Sequence, residues 1–400
     1  MAKAIGECVE RYCSAIFDYR DLTLAPYREL TRRATHPGSF ALYRPDQFGA
    51  HGFPWQPFTV DTPVLWTSGL SLVDGEETLV PAAMVYVPFH YLRSRRDTPV
   101  AQPISTGLAS GCSFAEAALG GLCEVVERDA FTLTWQASMS RPVIRPETLP
   151  AAVADLVARF ADVGIDVHLV DITTDLGLPT VLTVALGRAT TSPALAVAAA
   201  TDPSSEVAAV KSLEELAHTR KFARQLMDYT PEVPVEVEDG HPQVTGQRDH
   251  LRFYCPRPAT AYAEFMWSSP EGRDLGRLGG GGDGGDGGVA VGADPGADLA
   301  AAVRSVAAAG LDVIACDLTT PDIRALGLSV VGWWCPAPTR CSWGTAPGPW
   351  AAPASTPSPR GWATPGCSRA PPTTPTPTRS RRGEPWPTSS TPTCATSTSC

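Results

Sequence analysis

Residues 105–131 read STGLASGCSFAEAALGGLCEVVERDAF. Ser113 followed by Glu116 has the form of a capping box, in which Glu116 reaches back to the backbone of Ser113 and opens a helix. That helix is expected to start at Ser113 and run past Asp129. Along it Glu124 and Glu127 fall side by side on one face, with Arg128 next to them. Glu116 precedes Glu124 by a little over two turns, within a sector of ~50° of the same face. A second Glu-x-x-Glu-Arg core stands near the start of the chain, where AKAIGECVERYC (residues 2–13) supplies Glu7, Glu10 and Arg11.

Outward from these two segments, the periodicity alternates between helix and strand. A helix is predicted over residues 2–18, because Ile5, Val9, Tyr12 and Ile16 recur at three- and four-residue steps and leave Glu7 and Glu10 on another face. WTSGLSLVDGEETLVPAAMVYVPF (66–89) reads as a hairpin turning at Asp74-Gly75. Strands are expected over 165–172 (IDVHLVDI) and 180–186 (TVLTVAL). A third helix follows the turn-like Asp202-Pro203 and carries EVAAVKSLEELAHTRKFARQL (206–226). The run GGGGDGGDGG (279–288) is too glycine-rich to order itself and is expected to be a loop. Beyond it come a helix (298–309), a strand (311–318) and the apolar run LGLSVV (326–331). The pattern predicts a mixed α/β (α+β) domain over residues 1–331.

Composition narrows the function classes. The chain has 400 residues, 43% of them hydrophobic, enough for one large domain or two ordinary ones. Its formal net charge of −10 and lack of a Lys/Arg-rich block argue against a nucleic-acid partner. The first residues do not have the form of a signal peptide, and no apolar run approaches the ~20 residues of a membrane span. The eleven cysteines include no C-x-x-C pair, so they read as the reduced thiols of a cytoplasmic protein.

After Val331 the alphabet changes. Residues 332–400 contain no Leu, Ile, Val, Met, Phe or Tyr, so this tail cannot bury a core and is expected to be disordered. Frequent Trp, Cys, Pro, Thr and Ser without Asp, Asn, Gln or Lys suggest a GC-rich gene read out of frame. Trp has one codon, so a one-base shift across Gly332-Trp333-Trp334-Cys335 forces two valines. Over residues 374–381 the shifted frame permits Asn-Pro-Asp-Pro-His-Pro-Phe-Pro.

Like charges three residues apart on a helix destabilise it unless a cation lies between them. One account of both motifs is a solvated helix face, locally screened by Arg11 or Arg128. The other is a magnesium platform, since Mg2+ is a hard ion that takes carboxylate oxygens and keeps waters or phosphates in its remaining positions. On the third helix Glu215 and Arg220 offer acid for metal and guanidinium for phosphate, although a mixed-charge surface helix has the same look. His218 between them is either a polar neighbour or a proton carrier. The chain has no G-x-x-x-x-G-K-[ST] loop and no glycine fingerprint after a strand. A nucleotide would therefore have to be held through carboxylate-bound metal.

Residues 105–131, together with AKAIGECVERYCSAIFDYRD (2–21) and SSEVAAVKSLEELAHTR (204–220), resemble the YcaO proteins. THPGSFALY (35–43), LVPAAMVYVPF (79–89) and LTTPDIRALGLSVV (318–331) resemble the SagD-type members, which form thiazole and oxazole rings in ribosomally made peptides. The resemblance covers most of residues 1–331 and implies ATP and Mg2+ bound through carboxylates on helices. By position it implies Glu7, Glu10, Glu116, Glu124 and Glu127 as metal ligands, and Arg11, Arg128, Glu215 and Arg220 as nucleotide contacts. It assigns no catalytic residue. A ligand role for Glu116 competes with its capping role, and His218 stands where many relatives have glutamine.

The implied reaction is attack of a Cys, Ser or Thr side chain on the preceding backbone carbonyl, phosphorylation of the oxyanion by ATP, and loss of phosphate as the azoline closes. The implied partners are the precursor peptide, an E1-like (ThiF-like) protein that grips its leader, and a flavin-dependent azoline dehydrogenase. A non-catalytic docking subunit or pseudoenzyme is the alternative from another class. Thioamide or amidine formation is the alternative within the same ATP chemistry. In relatives the first acidic helix begins earlier, after a glycine- and lysine-containing stretch, and the family ends in a proline-rich tail. Here Met1 falls inside that helix and the tail is absent, so a truncated start and a frameshifted finish are expected.

Overall fold

The computed structural model describes residues 2–40, 42–49, 51–92, 97–229, 237–238, 241–242, 247–279 and 294–334. The glycine run from residue 280 and the tail from residue 335 lie outside the described residues. In chain order the strands are β1 (Thr23–Pro26), β2 (Pro63–Ser71), β3 (Glu77–Pro81), β4 (Leu108–Gly111), β5 (Val143–Ile144), β6 (Ile165–Asp171), β7 (Thr180–Gly187), β8 (Leu195–Thr201), β9 (Val237–Glu238), β10 (His241–Pro242), β11 (Gly272–Arg273), β12 (Ile314–Asp317) and β13 (Ser329–Trp334). The helices are α1 (Ala2–Ser14), α2 (Pro45–Phe48), α3 (Phe114–Gln136), α4 (Ala151–Asp162), α5 (Ser205–Tyr229), α6 (Gln247–Phe253), α7 (Pro295–Ala308) and α8 (Pro321–Ala325).

The first sheet runs β1-β2-β12-β13-β4 with β3 on β2, all antiparallel. Its β2–β3 hairpin forms as predicted. Gly75 takes φ +78°, a conformation that side chains with a Cβ resist, and Asp74 Oδ1 accepts the Glu76 N–H at 3.1 Å. The second sheet runs β11-β5-β6-β7-β8, antiparallel from β5 to β8 and parallel at β11. Strands β9 and β10 make a separate two-stranded pair.

Helix α3 links the two sheets. Its first half buries Ala117, Leu122 and Val125 against Leu299 and Val303 of α7 and Val331 and Trp333 of β13. Its last turns bury Ala130 and Trp135 against Leu182 and Val184 of β7 and Leu195 of β8. A fully buried leucine such as Leu122 contributes about 1.5–3 kcal/mol. Glycine inside a helix costs about 1 kcal/mol relative to alanine, and at Gly121 packing explains it. A Cβ there would lie 2.2 Å from Trp333 Cδ1 and 2.6 Å from the Gly107 carbonyl oxygen. Helix α5 covers the second sheet, with Leu213 on Leu169 and Val181 and Leu216 on Ala185, Ala196 and Ala198.

Three expectations are adjusted. Helix α1 ends at Ser14, short of residue 18, and most of its predicted apolar stripe does not face the core: Ile5 is 53% exposed and Tyr12 45%, Ile16 lies past the helix at 48%, and of the four only Val9 packs inward. Its inner face is Gly6, Val9 and Cys13, because Gly6 lets the helix close on β4, where an added Cβ would meet Ser110 Oγ at 2.9 Å. The strand predicted over 311–318 is confined to Ile314–Asp317. Order continues past Val331, since β13 extends through Trp334 and the Trp333 ring is buried in the α3 core. Among the described residues no helix is long and apolar enough to cross a membrane.

Candidate active site

Glu116 serves the start of α3. Ser113 is the N-cap and its Oγ accepts the Glu116 N–H at 3.2 Å. Glu116 Oε2 accepts the Cys112 N–H at 2.8 Å, one residue further back than the capping box predicts. This bond turns one carboxylate oxygen toward the backbone and leaves the side chain exposed at the helix entrance.

Two turns on, the surroundings are different. Glu124 Oε2 accepts the Gly107 N–H at 3.2 Å, and Glu124 Oε1 lies 3.6 Å from the Arg128 guanidinium. Gly107 has φ +85°, which aims its N–H at α3 and permits the approach of Gly121. Glu127 Oε1 is 3.3 Å from Arg128 Nε. Burial pushes the Glu127 carboxyl up to about 8; Arg128 pulls it down, and Glu124 and Glu215 push it further up. Burial also raises Glu124, against the pull of Arg128 and the Gly107 N–H.

From α1, Glu10 faces this group. Burial pushes its carboxyl up to about 7; Arg11 opposes the rise, and Glu124 and Glu7 add to it. Glu7 is exposed and lies 3.8 Å from Arg11. From α5, Glu215 repels both α3 carboxylates and lies 3.6 Å from His218 Nδ1. Five carboxylates from three helices thus share one field, with Arg11 and Arg128 as neighbouring cations.

Residues 1–337 match the family described as YcaO cyclodehydratase, ATP- and Mg2+-binding. The chain belongs to the YcaO family. An uncharacterised protein from the tfuA 3' region of Rhizobium leguminosarum bv. trifolii is 40% identical over 126 residues, covering 30% of this chain and 29% of that protein. A structure described as a heterocyclase in complex with substrate and cofactor superposes with a TM-score of 0.66 at 22% identity, covering 84% of this YcaO chain and 43% of that one. YcaO from Methanopyrus kandleri, bound with AMPPCP and Mg2+, gives a TM-score of 0.58 at 20% identity, over 82% of this chain and 73% of that one. The chain therefore spans less than half the length of the first of each, and the structural likenesses establish the mixed α/β fold.

In this YcaO chain Arg220 does not join the carboxylates. Its guanidinium donates to Ser192 Oγ at 2.7 Å and to the Pro193 carbonyl oxygen at 3.5 Å, and it lines a different cavity from Glu215. Glu127, Arg128, Glu215 and His218 border a cavity of about 310 Å3 floored by β8. Its inner wall is aromatic, with Phe131 and Trp135 stacked at 6.2 Å and Tyr254 edge-on to Trp135 at 5.6 Å. This wall was missed in the sequence, although Phe131 and Trp135 follow Glu127 at helical spacing. Lys211, whose charge lowers Glu127, was missed as well. It precedes Glu215 by one turn and is held at 2.7 Å by Asp202.

The donor set suits a hard dication: Glu10, Glu124 and Glu127 are partly buried, the acids repel one another, and guanidinium groups offset them only in part. As placed, no three carboxylate, His or Cys side chains among the described residues converge as a metal-holding group. Arg128 draws Glu124 and Glu127 toward itself instead.

Proposed function

We propose that this chain is the ATP- and magnesium-dependent cyclodehydratase subunit of a peptide-modifying system, forming thiazoline or oxazoline rings at Cys, Ser or Thr of a ribosomally made precursor. One observation carries the reading: Glu7 and Glu10, Glu124 and Glu127, and Glu215 repel one another across three helices, in a family described as binding ATP and Mg2+.

Glu10, Glu124 and Glu127 would hold the ion, with Glu7 and Glu215 at its edges. When bound, Mg2+ supplies neutralisation of the phosphates and of the transferring phosphoryl group. Arg128 would bind a phosphate oxygen, which would release Glu124 and Glu127 from their present pairing. The Gly107 N–H fixes the orientation of Glu124. Because burial raises the Glu127 carboxyl, a cation held there would compete with its proton. The peptide side chain attacks the preceding carbonyl carbon, the resulting oxyanion takes the γ-phosphoryl group, and phosphate departs with that oxygen. The net change is loss of one water from the peptide per ATP hydrolysed. Catalysis is then mainly positioning and electrostatics.

A leader-gripping E1-like partner and a flavin-dependent dehydrogenase belong to the same proposal, as does a cytoplasmic setting. Incubation of the chain with precursor peptide, partner, ATP and Mg2+ should lower the peptide mass by one water per ring. An unchanged mass together with absent nucleotide binding overturns the proposal. A second reading is a docking subunit that holds peptide without using ATP; its support is that no three donors converge among the described residues. Peptide binding with no calorimetric heat from magnesium and ATP would support it.

A further inference from the structure

Helix α5 has a second working face. Glu215 and His218 point toward the carboxylate cavity, whereas Glu214, Ala217, Arg220, Lys221 and Arg224 line a groove of about 530 Å3 between α5 and α4. The floor of this groove is apolar, made by Leu156 and Phe160 of α4 with Ile165, Leu213 and Ala217. Val163 also lines it and is 71% exposed. An open apolar trough between two helices matches the apolar face of a third helix.

The rim sets the charge of the occupant. Arg224 is neutralised by Asp228 at 3.1 Å, and Glu214 is engaged by Lys3 at 3.4 Å. Arg159 and Lys221 have no carboxylate partner among the described residues, and Arg220 is held only by Ser192 Oγ and the Pro193 carbonyl. Three uncompensated cations thus ring an apolar floor on a chain whose formal net charge is −10. A basic occupant would meet like charge, and a purely polar one would leave the floor wet.

We propose that this groove docks an acidic amphipathic helix of a partner protein, with its apolar side chains on the floor and its carboxylates on Arg159, Arg220 and Lys221. The site is separate from the carboxylate cavity and does not depend on the nucleotide reading.

The test uses the full chain and fluorescence anisotropy with a labelled synthetic peptide bearing Leu and Glu at helical spacing. A control peptide carries Lys in place of Glu. The Glu/Leu peptide should bind, and the Lys/Leu peptide should not. Raising salt from about 0.05 to 0.5 M should weaken binding by at least about tenfold. Arg159→Glu with Lys221→Glu, both at exposed positions, and separately Val163→Glu, should each weaken it by about tenfold or more. Binding of magnesium and nucleotide should stay unchanged. Equal binding of both peptides, salt-independent binding, or affinity unaffected by these variants overturns the proposal. So does a dimer in light scattering that Val163→Glu dissociates, because the groove would then belong to a second copy.

Discussion

Helices α1 and α3 carry the same Glu-x-x-Glu-Arg motif in opposite settings. On α3 the motif sits in the middle of a helix that spans both cores, and burial drives Glu127 up to about 8. On α1 it sits on a helix anchored mainly through Gly6, Val9 and Cys13, where Glu7 is exposed and only Glu10 feels the α3 acids. The motif alone therefore does not set the chemistry. Burial raises both carboxyls of one copy and leaves half of the other as an ordinary surface ion pair.

The sharpest way to break this contrast is to remove one copy at a time. Glu124→Ala with Glu127→Ala should weaken binding of magnesium with nucleotide by at least ~100-fold, while Glu7→Ala should cost less than ~5-fold, because an exposed ion-paired acid is worth under ~1 kcal/mol. Calorimetric titration reads both. Packing offers the next comparison. Gly121→Ala forces a methyl onto Trp333 and the Gly107 backbone and should lower stability by about 1–3 kcal/mol in chemical denaturation. Gly6→Ala displaces only Ser110 Oγ and should cost less than about 1 kcal/mol.

A smaller effect separates the helices by pH. Glu10 and Glu127 have folded-state pKa values raised from 4.5 to about 7 and about 8. Between those limits the folded protein holds more protons than the unfolded one, so the stability present below 4.5 is lost as pH rises through about 7 and then about 8. The metal-free Tm should fall over that window, and Mg2+ should restore more of it at high pH than at low. Glu127→Gln should flatten the upper part of the slope, whereas Glu7→Gln should leave it unchanged.

Much of the fold was legible because its signals are local: the capping residues of α3, the Asp74-Gly75 turn, and the β-branched apolar runs of β6 and β7. Strand β8 was not, since Leu195–Thr201 is rich in alanine and becomes a strand by pairing with β7. The inner face of α1 was misread for a related reason. Small residues at Gly6 and Cys13 bury more completely than Ile5 and Tyr12, and only the approach of β4 decides this. The carboxylate pairs could be read from i, i+3 spacing. The turn of Glu116 back to the Cys112 backbone is local and close to the capping box read in the sequence, whereas the diversion of Arg220 to Ser192 depends on a contact from another element, which no helical period records.

The most direct measurement of the central claim is calorimetric titration of Mg2+ and a non-hydrolysable ATP analogue at neutral pH, repeated in two buffers of different ionisation enthalpy. Binding that releases protons, with the release reduced by Glu127→Gln and binding lost in Glu124→Ala with Glu127→Ala, is the predicted result. Binding that releases no proton, or that survives the double substitution at full affinity, would contradict it.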